Sequence, residues 1–224
     1  MKIKGAIFDM DGTIVDSLSF WGVFWKCFGV KFMSDPNFVP AEEADKSVRT
    51  MIYSDVIPYI YNFYKLPVSF DEFKKFAEEN DIVEFYKNVA TPKQGARELL
   101  QFLKDNGVRI CLASATEMRG IRFALQHYDL AKYFDFVLSC ADIGVGKDKP
   151  DIYLDSMNLL RLPQSEICVF EDSYVALETA KRVGFKTVGI YDKFNFEQDR
   201  LKNASDFYLD QTQSLDRLID VIEV

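Results

Sequence analysis

Five short, continuous apolar runs constrain the fold of this chain more than any other feature. They are Gly5-Ala6-Ile7-Phe8, Val108 to Ala113, Phe136 to Ser139, Ile167 to Phe170 and Thr187 to Ile190. Each is rich in β-branched or aromatic residues and unbroken. A strand with one wet face alternates apolar and polar residues, whereas a strand covered on both faces does not. The runs therefore predict parallel strands buried between layers of helix.

Capped helical patterns fill the gaps. Thr91 followed by Pro92 reads as an N-cap with proline at the first helical position. Leu99, Leu100 and Leu103 then share a face, and Gly107 stops the segment. Met118, Ile121, Leu125 and Tyr128 recur at helical spacing within Glu117 to Tyr128. Asp151 to Leu162 repeats the pattern, as does Tyr174 to Val183 before Gly184. From Phe207 onward the chain predicts one more short strand and a closing helix ending in Leu218, Val221 and Ile222. Strand, helix, strand, helix is the order of a doubly wound, Rossmann-like α/β sheet.

Residues 17–88 break that rhythm. They show no clear strand but many helical signals, including the capping box Ser69-x-x-Glu72 ahead of Phe73, Phe76 and Ala77. Aromatics crowd here: Trp21, Phe24, Trp25, Phe28, Tyr53, Tyr59, Tyr61, Phe63 and Tyr64. A βαβ crossover needs far less chain. The expectation is an α/β core of residues 1–16 and 89–224, with residues 17–88 inserted as a helical cap.

Composition narrows the chemistry. The chain has 27 basic and 35 acidic residues, a formal charge of −8, which argues against nucleic acid or an anionic membrane as partner. Its four cysteines, Cys27, Cys111, Cys140 and Cys168, form no C-x-x-C pair and read as small buried hydrophobes of a reducing compartment. The single histidine, His127, sits in a helical stretch. Cys/His and Ser/His/Asp catalysis and a histidine-rich zinc site are thereby disfavoured. The residues before Asp9 are too few for a signal peptide, and no apolar run reaches membrane-spanning length, so a cytoplasmic protein is expected.

In an open parallel sheet, ligands bind outside the carboxyl ends of the strands. Asp9, Asp11 and Thr13 follow the first run, and Ser114, Ala115 and Thr116 follow the second. Gly146-Lys147-Asp148-Lys149-Pro150-Asp151 follows the third past a loop, and Glu171, Asp172 and Ser173 follow the fourth. Gly12 permits a sharp turn after the first two aspartates. Asp9, Asp11 and Asp172 are expected to crowd together, at a cost of about 4 kcal/mol per like-charged pair at about 4 Å. A hard divalent cation removes that penalty, and magnesium leaves room for water and phosphate. Each piece also has a plain structural explanation: an acidic turn, a helix cap at Ser114 or Thr116, a solvated lysine, a capping Glu171-Asp172 pair. All four at successive strand ends point instead to phosphoryl transfer, with a carboxylate as nucleophile.

Those segments are Phe8-Asp9-Met10-Asp11-Gly12-Thr13, Leu112-Ala113-Ser114, Gly146-Lys147 through Pro150-Asp151-Ile152-Tyr153, and Phe170-Glu171-Asp172-Ser173. The chain in this respect resembles the haloacid dehalogenase-like hydrolase superfamily, in the branch with an inserted helical cap that includes β-phosphoglucomutase and phosphoglycolate phosphatase. The resemblance implies that Asp9 is the nucleophile and Asp11 the general acid/base. It implies that Ser114 and Lys147 hold the phosphoryl group, with Gly12, Thr13 and Ala115 completing the phosphate-binding set. Asp172 would bind Mg2+ together with the Asp9 carboxylate and the Asp11 backbone carbonyl, and Glu171 would join or support that metal site. Many relatives read Gly-Lys-Pro-x-Pro-Asp where this chain has Asp148 for the first proline. Counting back from Pro150-Asp151 selects Lys147, with Lys149 as the alternative.

Two departures refine the expectation. Haloacid dehalogenases lack the second aspartate of the first motif, and this chain has Asp11. β-Phosphoglucomutase carries a histidine at a position that falls on Trp21 here. The leading expectation is therefore a phosphatase of a small phosphorylated metabolite. A phosphosugar mutase stands second, and a non-catalytic binding or regulatory protein third. The substrate and the oligomeric state are not legible.

Overall fold

A computed structural model describes residues 1–49, 51 and 53–224; the side chains of Tyr53 and Ser54 are outside it. Strand β1 (Gly5–Phe8) leads into the short β2 (Val15–Asp16). Helices α1 (Phe20–Phe28), α2 (Glu42–Val48), α3 (Tyr53–Tyr64), α4 (Phe70–Glu79) and α5 (Ile82–Asn88) follow, α1 running on into a turn of π-helix at Gly29–Met33. After β3 (Thr91–Pro92), helices and strands alternate. They are α6 (Ala96–Asp105), β4 (Arg109–Ser114), α7 (Met118–His127), β5 (Phe136–Ser139), α8 (Cys140–Ile143), α9 (Asp151–Leu160), β6 (Ile167–Glu171), α10 (Tyr174–Arg182), β7 (Lys186–Ile190), α11 (Gln198–Ala204) and β8 (Phe207–Leu209).

The long strands form one parallel sheet in the order β5-β4-β1-β6-β7-β8, so all five apolar runs are strands of it. β1 is central, with Ala6 level with Ile110 on one side and Cys168 on the other. The chain grows outward through β4 and β5, then returns to lay β6 against β1. That reversal opens a crevice at the carboxyl ends of β1, β4 and β6. Side chains alternate between two apolar layers. Phe8, Leu112 and Phe170 share one face with Leu99 and Leu103 of α6, and Ile7, Cys111 and Val169 share the other with Ile152 and Leu160 of α9. The Phe8 and Phe170 rings stack at 4.1 Å, locking β1 to β6 just before both chains reach the crevice. Cys111 and Cys168 lie in strands and Cys140 opens α8; all are buried free thiols.

The helices between β2 and β3 bury an aromatic interior. Phe24, Phe28, Phe73 and Phe76 are nearly inaccessible, and their rings meet at 5.8–6.5 Å. Packing of this kind explains why so many aromatics occupy this stretch. The capping box at Ser69 forms, its hydroxyl accepting from the Glu72 amide at 3.2 Å.

Thr91-Pro92 departs from expectation. These residues do not start a helix; they pair antiparallel with β2, Thr91 opposite Asp16 and Pro92 opposite Val15. A two-residue ladder at an edge tolerates the missing proline N–H. The helix begins later, after Gly95 at φ +80°, where a side chain would strike the backbone of Leu215 and Asp216. The final segment also differs: Leu215–Asp220 is a 3₁₀ helix rather than an α-helix. Leu215 and Leu218 are nevertheless buried against the core.

Candidate active site

The crevice begins where β1 ends. Asp9 is anchored by its amide, which donates to the Phe170 carbonyl at 3.0 Å. The chain then folds back on itself, with the amides of Ile14 and Val15 both donating to Met10 O at 3.0 Å and the Gly12 amide donating to Val15 O at 2.8 Å. Gly12 adopts φ +85°, and any side chain there would enter the Asp172 carboxylate. Only glycine fits both demands.

This turn separates the two aspartates that the sequence expects to crowd together. β1 stops at Phe8, so the alternation of a strand does not carry through to Asp11. The Asp11 carboxylate instead takes three hydroxyls. Ser17 and Tyr86 each donate to Oδ1 at 2.6 Å, and Thr116 donates to Oδ2 at 2.7 Å. The carboxylate cluster consists of Asp9, Glu171 and Asp172, whose ligand oxygens lie within 4.8 Å of one another, all three buried. Glu171, not Asp11, supplies its third side chain.

Lys147 enters this cluster from the loop after α8. Its ammonium pairs with Asp9 and lies 2.6 Å from Glu171 Oε1, and the Tyr153 hydroxyl donates to the same oxygen at 2.8 Å. Lys149 is 63% exposed and points to Asp148 at 3.9 Å, so the buried lysine of the loop is Lys147. Ser114 ends β4, buried, with its Oγ accepting from the Thr116 amide at 3.1 Å. Ala115 lines the same cavity. The Thr13 hydroxyl donates to Asp172 Oδ1 at 2.9 Å, which makes its side chain a support of that carboxylate. Asn195, from the loop after β7, donates to both Asp172 O and Oδ2, at 2.8 and 2.7 Å.

The electrostatics follow from burial. It raises Asp172 well above the usual carboxylate range, with Asp9 and Glu171 adding to the effect. It also pushes Glu171 up to about 7, opposed by Lys147 and reinforced by Asp9. Burial would lower Lys147, but the Asp9 and Glu171 carboxylates outweigh it and hold the ammonium above its ordinary value. Asp11 is raised by burial and then by Asp9, against the three hydroxyl bonds that favour its ionised form. Three buried carboxylates against one ammonium leave negative charge uncompensated. A hard, oxygen-only donor set of this kind suits Mg2+, which keeps room for water and phosphate oxygens.

Sequence reasoning missed Tyr86, Ser17 and Asn195, and gave Tyr153, though it stands in a matching segment, no role. Thr116 was visible beside Ser114 but reads equally as a cap. Nothing local marks Tyr86 or Asn195, since each meets its carboxylate across the fold.

A cavity of about 780 Å³ opens above these residues, between the strand ends and the inserted helices. Among solved structures, that of CbbY from Rhodobacter sphaeroides in complex with phosphate matches with a TM-score of 0.77 at 20% identity, covering 96% of each chain. The structure of β-phosphoglucomutase from Clostridium difficile matches at 0.73 and 22% identity, over 96% of this chain and 93% of that one. In sequence, the phosphorylated carbohydrates phosphatase of Thermotoga maritima is 25% identical, over 86% of this chain and 88% of its own length. The family model of haloacid dehalogenase-like hydrolases matches residues 3–184, from β1 to the end of α10, and the chain belongs to that family.

Proposed function

We propose that this hydrolase is a Mg2+-dependent phosphatase of a small phosphorylated metabolite, working through an aspartyl-phosphate on Asp9. The observation that carries this reading is the separation of two aspartates into two environments. Asp9 lies in the carboxylate cluster beside Lys147, while Asp11 is held outside it by Ser17, Tyr86 and Thr116. The phosphatase names of relatives such as the Thermotoga protein support it.

In the first step an Asp9 carboxylate oxygen attacks phosphorus in line. The bond from phosphorus to the ester oxygen breaks, and Asp11, its carboxyl raised by burial, gives its proton to the departing alkoxide. In the second, ionised Asp11 takes a proton from water, whose oxygen attacks the same phosphorus. The Asp9–phosphorus bond breaks and inorganic phosphate leaves. Lys147 neutralises phosphoryl oxygens, and Ser114 offers a hydroxyl at the same rim. Asp9, Asp172 and Glu171 would hold Mg2+, the Asp11 carbonyl being a further ligand by family resemblance; when bound, the ion offsets charge on the transferring group. Thr13 and Asn195 keep the Asp172 carboxylate oriented for it.

Rapid-quench mass spectrometry during turnover with Mg2+ tests the reading. A transient 80 Da adduct (one HPO3, by composition about that mass) on the peptide containing Asp9, absent in Asp9→Asn, is the expected result. Phosphate release undiminished in Asp9→Asn overturns it.

A phosphosugar mutase is the second reading, favoured by the structural likeness to β-phosphoglucomutase. It requires a bisphosphate activator and yields isomer rather than free phosphate. Trp21, where that enzyme type carries a histidine, weighs against it.

A further inference from the structure

The cavity wall contributed by the inserted helices differs in chemistry from the acidic rim beneath it. Leu18, Trp21, Val48, Met51 and Ile82 line it, and the Phe196 ring joins them from the loop before α11. Among the described residues, the hydrogen-bonding side chains that residues 17–88 bring to the wall are Ser17, Trp21, Lys46 and Arg49. Ser17 is already spent on Asp11 and on the Val15 carbonyl.

The cations have carboxylate partners, and of these pairs only that of Arg49 is enclosed, Lys46 and Arg119 being 50% and 64% exposed. Lys46 pairs with Glu42 at 2.6 Å, Arg49 with Asp45 at 3.0 Å, and Arg119 with Asp81. Arg49 is the most enclosed of the three, with its side chain 15% exposed. Its partner Asp45 also accepts from the Trp25 indole N–H at 2.7 Å, so drawing Arg49 away toward a second anion would strip a half-buried carboxylate of its cation. Arg49 and Lys46 also sit 5.5 and 5.4 Å from the centre of the Phe196 ring, which holds both cations over an aromatic face.

A polyol needs a partner for each hydroxyl, and hydroxyls facing an apolar wall lose their water without replacement. A second phosphate or a carboxylate needs a cation, and the enclosed one on this wall, Arg49, is held by Asp45. A ring needs apolar area and a face to stack on, which Trp21 supplies, with Phe196 adding apolar area to the same cavity. Given the phosphatase chemistry at Asp9, on which this rests, we infer that the preferred substrate is a phosphate monoester with an apolar, ring-bearing leaving group, held against Trp21 and the apolar wall around it.

Phosphate release by the purified protein with Mg2+ is measured for 2-phenylethyl phosphate, glycerol 3-phosphate, glucose 6-phosphate and fructose 1,6-bisphosphate. All four lose a primary alcohol, so leaving-group basicity is nearly matched. The expected kcat/KM for the aromatic ester is at least about tenfold above each of the others, as one lost hydrogen-bonding or apolar contact commonly discriminates. Trp21→Ala shrinks that ratio, mainly by raising KM for the aromatic ester. A sugar phosphate or the bisphosphate matching the aromatic ester overturns the inference and leaves the phosphatase intact. A ratio unmoved in Trp21→Ala removes the ring from that wall. Release from none of the four esters overturns the phosphatase reading itself.

Discussion

At the scale of single residues, the site depends on where one turn points two carboxylates. Gly12 bends the chain so that Asp9 stays with Glu171 and Asp172 while Asp11 reaches hydroxyls from three other parts of the chain. The two aspartates share a residue type and differ in environment, which is how, on the proposed mechanism, one site would supply both a nucleophile and a proton carrier. Asp11→Asn removes the proton carrier and keeps the shape. We expect kcat on an alkyl phosphate to fall by about 10²- to 10⁴-fold, the usual worth of general acid–base catalysis. Steady-state kinetics on a folded variant check this, and a loss below about tenfold would remove Asp11 from the proton transfers.

At the scale of elements, α5 links the inserted helices to the chemistry. It packs on α7 and carries Tyr86 to Asp11. Asp81 starts it, its Oδ1 accepting from the amides of Val83 and Glu84 at 2.9 and 3.1 Å while its other oxygen meets Arg119. Arg119 is largely exposed, so most of the worth of Asp81 lies in the cap. Asp81→Ala should cost about 1–2 kcal/mol in urea unfolding, and Asp81→Asn much less, because asparagine caps nearly as well. Equal losses in the two variants would place the effect in the ion pair instead. The same helix explains a second point: the β2–β3 ladder brings the ends of the insertion together, so residues 75 apart in sequence, Asp11 and Tyr86, can meet.

At the scale of the whole molecule, the buried carboxylate cluster makes metal binding and stability one problem. A cation bound only by the folded chain stabilises it by mass action, about 2.7 kcal/mol at about 100 times its Kd. Adding MgCl2 to EDTA-treated protein should therefore raise the thermal midpoint, and Asp172→Asn should shrink the shift. A midpoint indifferent to Mg2+ at millimolar concentration would argue that Lys147 alone compensates Asp9, Glu171 and Asp172.

The sequence by itself determined the sheet and the rim. Short, β-branched or aromatic apolar runs bounded by capped helical patterns read as strands covered on both faces, and the residues after parallel strands emerge at one edge, which put Asp9, Ser114, Lys147 and Asp172 on one rim in advance. It also pointed to a helical insertion after the first strand, because residues 17–88 are far more chain than a simple crossover needs. Tertiary structure alone decided the rest. Thr91-Pro92 became a strand because β2 lies beside it, overriding a local helix-start pattern. Lys147 rather than Lys149 became the buried lysine because only one of them faces the Asp9 and Glu171 charges. The Asp11 side chain, expected to crowd Asp9 and Asp172, was drawn instead to Ser17, Tyr86 and Thr116, and Asn195 reached Asp172, through contacts that the fold alone makes. Local pattern reports periodicity and turn chemistry; which polar groups share a buried space depends on how the elements pack, and that is settled only when the chain closes on itself.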